Sequence, residues 1–387
     1  VNAAKSPADA VRDAADRIRS GVRRTPTVRS RSLSNALGAD VFLKIENRQT
    51  TGSYKERGAL NAMLMLSVAE RERGVITMSA GNHGQAVAYH GARLGLRTTV
   101  VMPATTPFLK VRRTRDFGAT VVLYGETFDD ASAHARELAA AAGATVVHPY
   151  DDENVIAGQG TATLELLEDA GGDLDFVVVP IGGGGLIAGA TLAVAAFGSR
   201  AEIVGVQSAF YGGVAAALAG LPPPSGGPTI AEGIAVKQPG RRTLEYIRAG
   251  VRDVMLVSEG AGAAGVAALF TDPPRFAGKR VGTILCGGNI DLGMLAAVIV
   301  RHRMRSGRVA RIRVHMVDKP GELATVAFAI SEAGANVLDI AHHRVFGSLS
   351  AKHAELDVTV EVERPEDLDG IMNAIFERGF EAEVVTE

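Results

Sequence analysis

Lys55 stands in the run Thr51-Gly-Ser-Tyr-Lys-Glu-Arg-Gly-Ala59, directly after a glycine-containing turn and at the start of a helix that runs into residues 60–66. A helix N-terminus carries partial positive charge, so an ammonium group is electrostatically misplaced there. A lysine in that position points to a working amine. A lysine of depressed pKa is the side chain that forms Schiff bases with carbonyl compounds. A second turn, Ser79-Ala-Gly-Asn-His83, lies between a strand at 75–78 and a helix beginning near Gly84. Its peptide N–H groups and the Ser79 and Asn82 side chains suit an anion, and they equally suit ordinary capping of the helix. The third turn is Pro180-Ile-Gly-Gly-Gly-Gly-Leu186, after an apolar strand and before a helix. Four consecutive glycines leave no side chain to obstruct a ligand, which marks a phosphate cradle. The dinucleotide spacing G-x-G-x-x-G with its later acidic residue is not clearly present, and no Walker lysine follows. The fourth is Leu285-Cys-Gly-Gly-Asn-Ile290, again at the end of an apolar strand. Cys286 there is either inert core or, by its place among the other turns, a ligand contact.

The elements that must position these turns repeat a strand-then-helix rhythm. Residues 9–19 have helical spacing of apolar and charged residues, Pro26 ends that segment, and 41–45 is a short strand. Residues 75–78, 97–102, 120–123 and 145–147 read as strands, with helices at 84–94, 108–117 and 128–142 between them. A second series has strands at 176–180, 202–206, 254–257 and 281–285, each followed by Ala-rich helical sequence. This is a parallel sheet covered by helices, in two α/β units. The Pro- and Gly-rich stretch 222–228 is a surface loop, because the rhythm resumes after it. An apolar helix at 292–300 ends in the basic run Arg301–Arg308, read as a linker. Beyond it come a strand at 310–316, a helix at 321–332, strands at 337–344 and 353–361, a helix at 365–378 and a strand at 381–385. That βαββαβ order is ferredoxin-like. His342 and His343 are neighbours on a strand, face opposite sides and cannot chelate one ion together.

The 387 residues hold 41 Lys+Arg against 43 Asp+Glu, a formal charge of −2. No strong field favours nucleic acid or an anionic membrane. A single cysteine excludes an internal disulfide framework and a Cys-rich zinc site. The first twenty residues carry charges throughout and are not expected to be a secretory signal. The longest apolar run, 186–198, is shorter than the roughly 20 residues a membrane-spanning helix needs. A cytoplasmic protein with neither nucleic-acid nor membrane partners is expected.

Taken in order, TGSYKERGA, SAGNHGQAVA, IGGGGLIAG, TIAEGIAV, EGAGAAGVAAL and CGGNID resemble the pyridoxal-phosphate enzymes of fold type II, and closely the threonine ammonia-lyases (threonine dehydratases). The resemblance covers nearly the whole chain. It implies an α/β fold: a two-subdomain catalytic body at 1–305, with a small subdomain at about 54–150 inserted in the larger one, and a C-terminal ferredoxin-like ACT regulatory domain at 306–387. It also implies a Schiff base from Lys55 to pyridoxal 5'-phosphate, Tyr54 flanking the ring, Asn82 on its phenolic oxygen, and Gly182, Gly183, Gly184, Gly185 and Leu186 on the phosphate. Cys286 falls where the family places Ser or Cys against the pyridine nitrogen, and Ser79, Ala80, Gly81, Asn82 and His83 would hold the substrate carboxylate.

The implied reaction is β-elimination of ammonia from L-threonine, and from L-serine, giving 2-oxobutyrate or pyruvate. Alternatives within the fold are a serine racemase, a β-replacement synthase or another hydroxy-amino-acid lyase, and, of a different functional class, a non-catalytic amino-acid sensor that keeps the ACT domain on a relic catalytic body. Serine racemases of the family carry a serine before the Gly-Asn-His of the second turn, where this chain has Ala80. In the ACT domain, Asp318, Gly321, Glu322, Leu323 and Asn336 would bind a branched-chain amino-acid effector, as in allosteric control of isoleucine synthesis, in a homo-oligomer, dimer or tetramer. A dimerisation module without ligand is the alternative there. The chain departs from its relatives at two places. Ser258 leads straight into Glu259, where relatives have a further helix. Gln207 replaces an acidic residue found in relatives with a bound cation, so no metal is assigned.

Overall fold

The computed structural model describes residues 6–258, 263–343 and 353–385, and the chain divides into two units, 1–289 and 290–387. Glu259, where relatives would have the extra helix, lies outside the described residues with the start of its motif.

In the first unit, a helix Asp9–Ile18 leads to β1 (Thr27–Arg29) and β2 (Asp40–Lys44), which pair antiparallel. The next strands, β3 (Val75–Met78), β4 (Thr98–Met102), β5 (Thr120–Leu123) and β6 (Thr145–Val146), form an all-parallel sheet in the order β5-β4-β3-β6. Then β7 (Phe176–Pro180), β8 (Glu202–Ser208), β9 (Val251–Val257) and β10 (Arg280–Ile284) complete a six-stranded sheet of order β1-β2-β10-β7-β8-β9. All its pairs but β1–β2 are parallel. Strands of this kind must be covered on both faces, and β7 shows why: Val177, Val178 and Val179 are all fully buried. Each contributes about 1.5–3 kcal/mol by leaving water.

Two long helices pack against each other over this sheet, Glu153–Asp169 and Gly185–Phe197. Their contact depends on glycines, because a Cβ on Gly189 would stand 2.5 Å from the Gly160 nitrogen. The helix Glu153–Asp169, the strand β1 and the helix Arg31–Leu37 are absent from the sequence reading.

The second unit begins with a helix, Leu292–Arg305, capped by Asp291, whose carboxylate accepts the Met294 N–H at 3.1 Å. The basic run read as a linker is therefore helical through Arg305. Arg and Met are good helix formers, and cations suit a helix C-terminus, so the helix runs on to the Ser306-Gly307 turn. The division after Asn289 also places this helix in the second unit, whereas the sequence reading ends the first at 305. An ion pair between Arg303 and Glu361 ties its last turn to the second unit's sheet.

That sheet is antiparallel, with β11 (Val309–Val317), β12 (Asn336–His343), β13 (His353–Glu361) and β14 (Glu381–Val384) in the order β12-β13-β11-β14. Helices Glu322–Glu332 and Asp367–Phe376 cover it through Val326, Ile330, Ile371 and Ile375, packed on Ile312, Val314, Leu356 and Val358. The order is the ferredoxin-like one. Among the described residues, no helix is long and apolar enough to cross a membrane.

Candidate active site

Three of the four turns sit at the carboxyl ends of parallel strands β3, β7 and β10, where open α/β sheets bind ligands. Lys55 is the first residue of the helix Lys55–Leu64. Its turn is laced to the Cys286 turn by a bridge between Ser53 and Gly287, by Tyr54 N–H donating to the Cys286 carbonyl at 3.1 Å, and by Gly288 N–H donating to the Gly52 carbonyl at 3.0 Å. The Asn289 amide then donates to the Thr51 carbonyl at 2.7 Å and to Asn82 Oδ1 at 2.9 Å, which brings in the second turn. The alternative of plain capping at that turn is not what forms. The cap position is Gly81, and no side chain caps the helix Asn82–Arg93. Ser79 instead accepts the Gly81 N–H at 3.2 Å.

Lys55 Nζ donates to the Pro149 carbonyl at 2.7 Å. The next residue, Tyr150, lies against the tetraglycine: a Cβ on Gly183 would stand 2.3 Å from its ring. Gly184 has φ +99°, a left-handed conformation that a side chain would strain. Thr243 Oγ1 donates to the Gly183 carbonyl at 2.8 Å, and Gly240 N–H does so at 3.1 Å. Asp151 anchors that neighbour by accepting the Arg242 and Thr243 N–H groups at 2.8 and 3.2 Å. Gly185 and Leu186 begin the helix Gly185–Phe197, so their N–H groups have no acceptor within it.

Electrostatics divide the labour. Burial pulls the Lys55 ammonium down to about 8, against a weaker upward pull from Cys286. Burial pushes the Cys286 thiol up to about 12, helped by Glu46 and opposed by Lys55. The thiol is neutral at working pH. Burial, with Cys286 adding, holds the Tyr54 phenol far above its ordinary range; its ring centroid is 5.3 Å from Lys55 Nζ. His83 is pulled down to about 3 by burial and then by Lys55, while its Nε2 lies 3.0 Å from the Val147 carbonyl. It is no proton donor near neutral pH.

The sequence reading missed the scaffold under Lys55. Arg57 and Glu46 are both fully buried and pair at 2.8 Å. The Arg57 guanidinium also reaches Glu165 at 2.8 Å, and buried Lys44 closes on Glu165 at 2.7 Å. Burial alone would raise the Glu46 carboxyl, but Arg57 outweighs it and holds it below the ordinary range. No local signal marks these charges, since Arg57 lies two residues after Lys55 in a helix start where a solvated charge is ordinary. Asn289, Pro149, Tyr150, Asp151 and Thr243 were missed as well.

Gln207 uses both ends of its amide within the protein. Its oxygen accepts the Val214 and Ala215 N–H groups at 3.0 Å each, and its nitrogen donates to the Tyr211 carbonyl at 3.0 Å. Among the described residues no cluster of three or more His, Cys, Asp or Glu could hold a metal.

In the second unit the expected effector residues do not meet within one chain. Asp318 follows β11 at the end where Val317 pairs His353, and Gly321, Glu322 and Leu323 start the next helix. Asn336 pairs Glu361, which also pairs Val309, so it lies at the opposite end of the sheet. Eight residues of strand separate the two ends, roughly 26 Å. The strand order forces this, since the chain must run back along its helix before starting β12.

The first unit's residues fit pyridoxal phosphate. A half-buried amine of lowered pKa, a side-chain-free cradle at a helix start and a neutral thiol are the donors that group needs. A Cβ on Gly81 or Gly233 would meet nothing within 4 Å, so these backbones border open space. Ser53 Oγ and His83 Nδ1 are buried without partners.

Comparison with known proteins agrees. Residues 18–287 match the model of the pyridoxal-phosphate dependent enzymes, and 310–380 match the ACT domain. The L-threonine ammonia-lyase of Thermotoga maritima is 37% identical over 396 residues, covering 97% of this chain and 98% of that one. The enzyme of the same name from Geobacter sulfurreducens is 39% identical over 407 residues, covering 98% and 99%. Among solved structures, the processed form of threonine deaminase isoform 2 from Solanum lycopersicum superposes with a TM-score of 0.71 at 33% identity, covering 76% of this chain and 87% of that one. Maize serine racemase gives 0.69 at 30%, covering 77% and 98%. With its lysine, glycine and cysteine turns laced into one site and its ACT match following in sequence, this chain belongs to the pyridoxal-phosphate-dependent enzyme family, alongside the threonine ammonia-lyases.

Proposed function

We propose that this chain is a lyase that deaminates L-threonine, and L-serine, by β-elimination. The observation that carries the reading is that Asn289 laces the turn before Lys55 to the Asn82 turn, through the Thr51 carbonyl and Asn82 Oδ1, while the Lys55 amine donates to Pro149, whose neighbour Tyr150 lies against the tetraglycine. The names of the two bacterial relatives support the substrate.

Bound pyridoxal phosphate supplies an electron sink that makes the α-proton of an amino acid acidic. Gly182 to Leu186 would hold its phosphate through peptide N–H groups, Asn82 its phenolic oxygen, Tyr54 a ring edge and the Cys286 thiol its ring nitrogen. The turn Ser79–His83 offers N–H groups to the substrate carboxylate. Lys55 anchors the cofactor and, when free, takes the α-proton at Nζ. That step needs a neutral amine, and a pKa near 8 supplies one far below the ordinary lysine range. The α-proton and the β-hydroxyl are lost together as one water, and the unsaturated amine that results takes up one water to give 2-oxobutyrate and ammonia.

Likeness to a serine racemase favours a second reading, inversion at Cα. Inversion requires a second proton donor besides Lys55, and where serine racemases of the family carry a serine this chain has Ala80, which has no proton to give. For the second unit, the ACT match supports an amino-acid effector, read as a branched-chain one; Asp318 and Asn336 lie at opposite ends of the sheet, so a ligand touching both needs two copies of the chain and the reading includes a homo-oligomer. A cytoplasmic setting belongs to the same reading.

The test is direct. The cofactor-loaded protein given L-threonine should release 2-oxobutyrate and ammonia in equal amounts. Bound cofactor without oxo-acid release would overturn the proposal.

A further inference from the structure

Two polar atoms inside the first unit face one another without partners. Glu56 Oε2 and His90 Nε2 are buried, have no hydrogen bond, and stand 3.8 Å apart. Glu56 is the second residue of the Lys55 helix, and His90 lies on the helix that begins at Asn82. The two helices pack directly on each other.

The proton between these residues can be placed. Arg93 Nη1 is 3.3 Å from His90 Nδ1. A guanidinium only donates, so Nδ1 must accept and the imidazole proton sits on Nε2, aimed at Glu56. Burial, with Arg93 adding, keeps the ring neutral. Glu56 uses its other oxygen to accept the Thr51 N–H. Burial raises this carboxyl, Thr51 opposes that, and the charges of Glu46 and Arg23 also bear on it. A carboxylate opposite an imidazole N–H is a complementary pair. A closing of about 0.9 Å would bring it to hydrogen-bond length.

The pair also ends a circuit. Asn82 Oδ1 accepts from Asn289, which donates to the Thr51 carbonyl, and the Thr51 N–H goes to Glu56. From Glu56 the path returns to the Asn82 helix through His90. Every link is a hydrogen bond except the last. We propose that Glu56 and His90 are a positioning pair: His90 Nε2–H donates to Glu56 in the working enzyme, and this contact sets how the Lys55 and Asn82 helices meet around the substrate. The kinetic arm of its test rests on the proposed elimination; the spectroscopic arm does not.

His90→Leu keeps apolar bulk and removes the donor, while His90→Gln returns an N–H near the Nε2 position. The Leu variant should lose about tenfold in kcat with KM for threonine within about threefold, because a misplaced base costs rate and not binding. The Gln variant should recover most of that loss. Equal kcat in the two variants would overturn the pair, since a residue that only fills space gives no such rescue. Independently, heteronuclear NMR of the wild-type imidazoles, with the His90 signal assigned by its loss in either variant, should show a neutral Nε2–H tautomer from about pH 6 to pH 8. A Nδ1–H tautomer or a charged ring would overturn it, whether or not the enzyme turns threonine over.

Discussion

The two units treat the residues picked out for them in opposite ways. In the first, Lys55, Asn82, Gly183 and Cys286 come from turns up to 231 positions apart in sequence, yet a short series of hydrogen bonds and packing contacts links them. In the second, Asp318 and Asn336 are 18 positions apart and lie at opposite ends of one sheet. The end of the strand that each residue occupies explains the difference. In the first unit the turns at β3, β7 and β10 follow the carboxyl ends of parallel strands, so they arrive on the same edge. In the second, Asp318 follows the end of β11 whereas Asn336 starts β12, which runs parallel to β11 because both pair antiparallel with β13, so the intervening helix carries the chain to the opposite edge. A catalytic site can therefore be finished inside the first unit, whereas a ligand touching both effector segments must bridge two copies of the second.

Breaking the converged side should have the largest effect. Lys55→Ala removes both anchor and base, and turnover should fall at least about a thousandfold with the unfolding temperature nearly unchanged. Oxo-acid release and thermal melting check this together. Next comes the scaffold. Arg57→Met leaves buried Glu46 without its partner and should cost about 3–5 kcal/mol, read by urea unfolding with a probe in the first unit. An unchanged midpoint would mean that the charge network does not hold the Lys55 helix.

The pH dependence sharpens the same point. An ammonium does not attack a carbonyl, so uptake of cofactor by the cofactor-free protein should rise with pH and level off once Lys55 is neutral. Because burial lowers Lys55 from 10.5 to about 8, the midpoint in stopped-flow absorbance should fall near pH 8. Gly183→Ala is milder. Its Cβ would displace Tyr150, and cofactor affinity should weaken about tenfold, a cost of about 1.4 kcal/mol, measurable by equilibrium titration. The smallest effect belongs to the split side. Removing residues 309–387 should spare cofactor binding and abolish a shift of about fivefold or more in the threonine saturation curve by isoleucine or valine. If the intact protein shows no such shift with any branched-chain amino acid, the second unit is a dimerisation module.

The turns that converge in the first unit were legible because their signals are local: glycine runs at the ends of apolar strands, and a lysine where a helix start disfavours it. The βαββαβ order was legible for the same reason. What escaped depends on distance. Glu46, Arg57 and Glu165 look like ordinary surface charges until the fold brings Glu165 across 108 positions to Arg57. The helix Glu153–Asp169 escaped because Gly158, Gly160 and three threonine or valine positions blur its periodicity, while its stability comes from packing against Gly189 and its neighbours. The run 301–308 looked like a linker because polar charge was weighed above helix propensity. The separation of Asp318 from Asn336 needed strand register, which no local pattern carries.

On this proposal the site moves protons on one face only, with Lys55 as its base, and Ala80 stands where serine racemases of the family carry a serine. The direct measurement is the fate of L-serine on the cofactor-loaded protein, followed by chiral chromatography alongside pyruvate and ammonia assays. Pyruvate and ammonia in equal amounts, with no D-serine above the level of the cofactor alone, is the predicted result. Accumulation of D-serine at a rate comparable to pyruvate would show a second proton donor in the site and contradict the account.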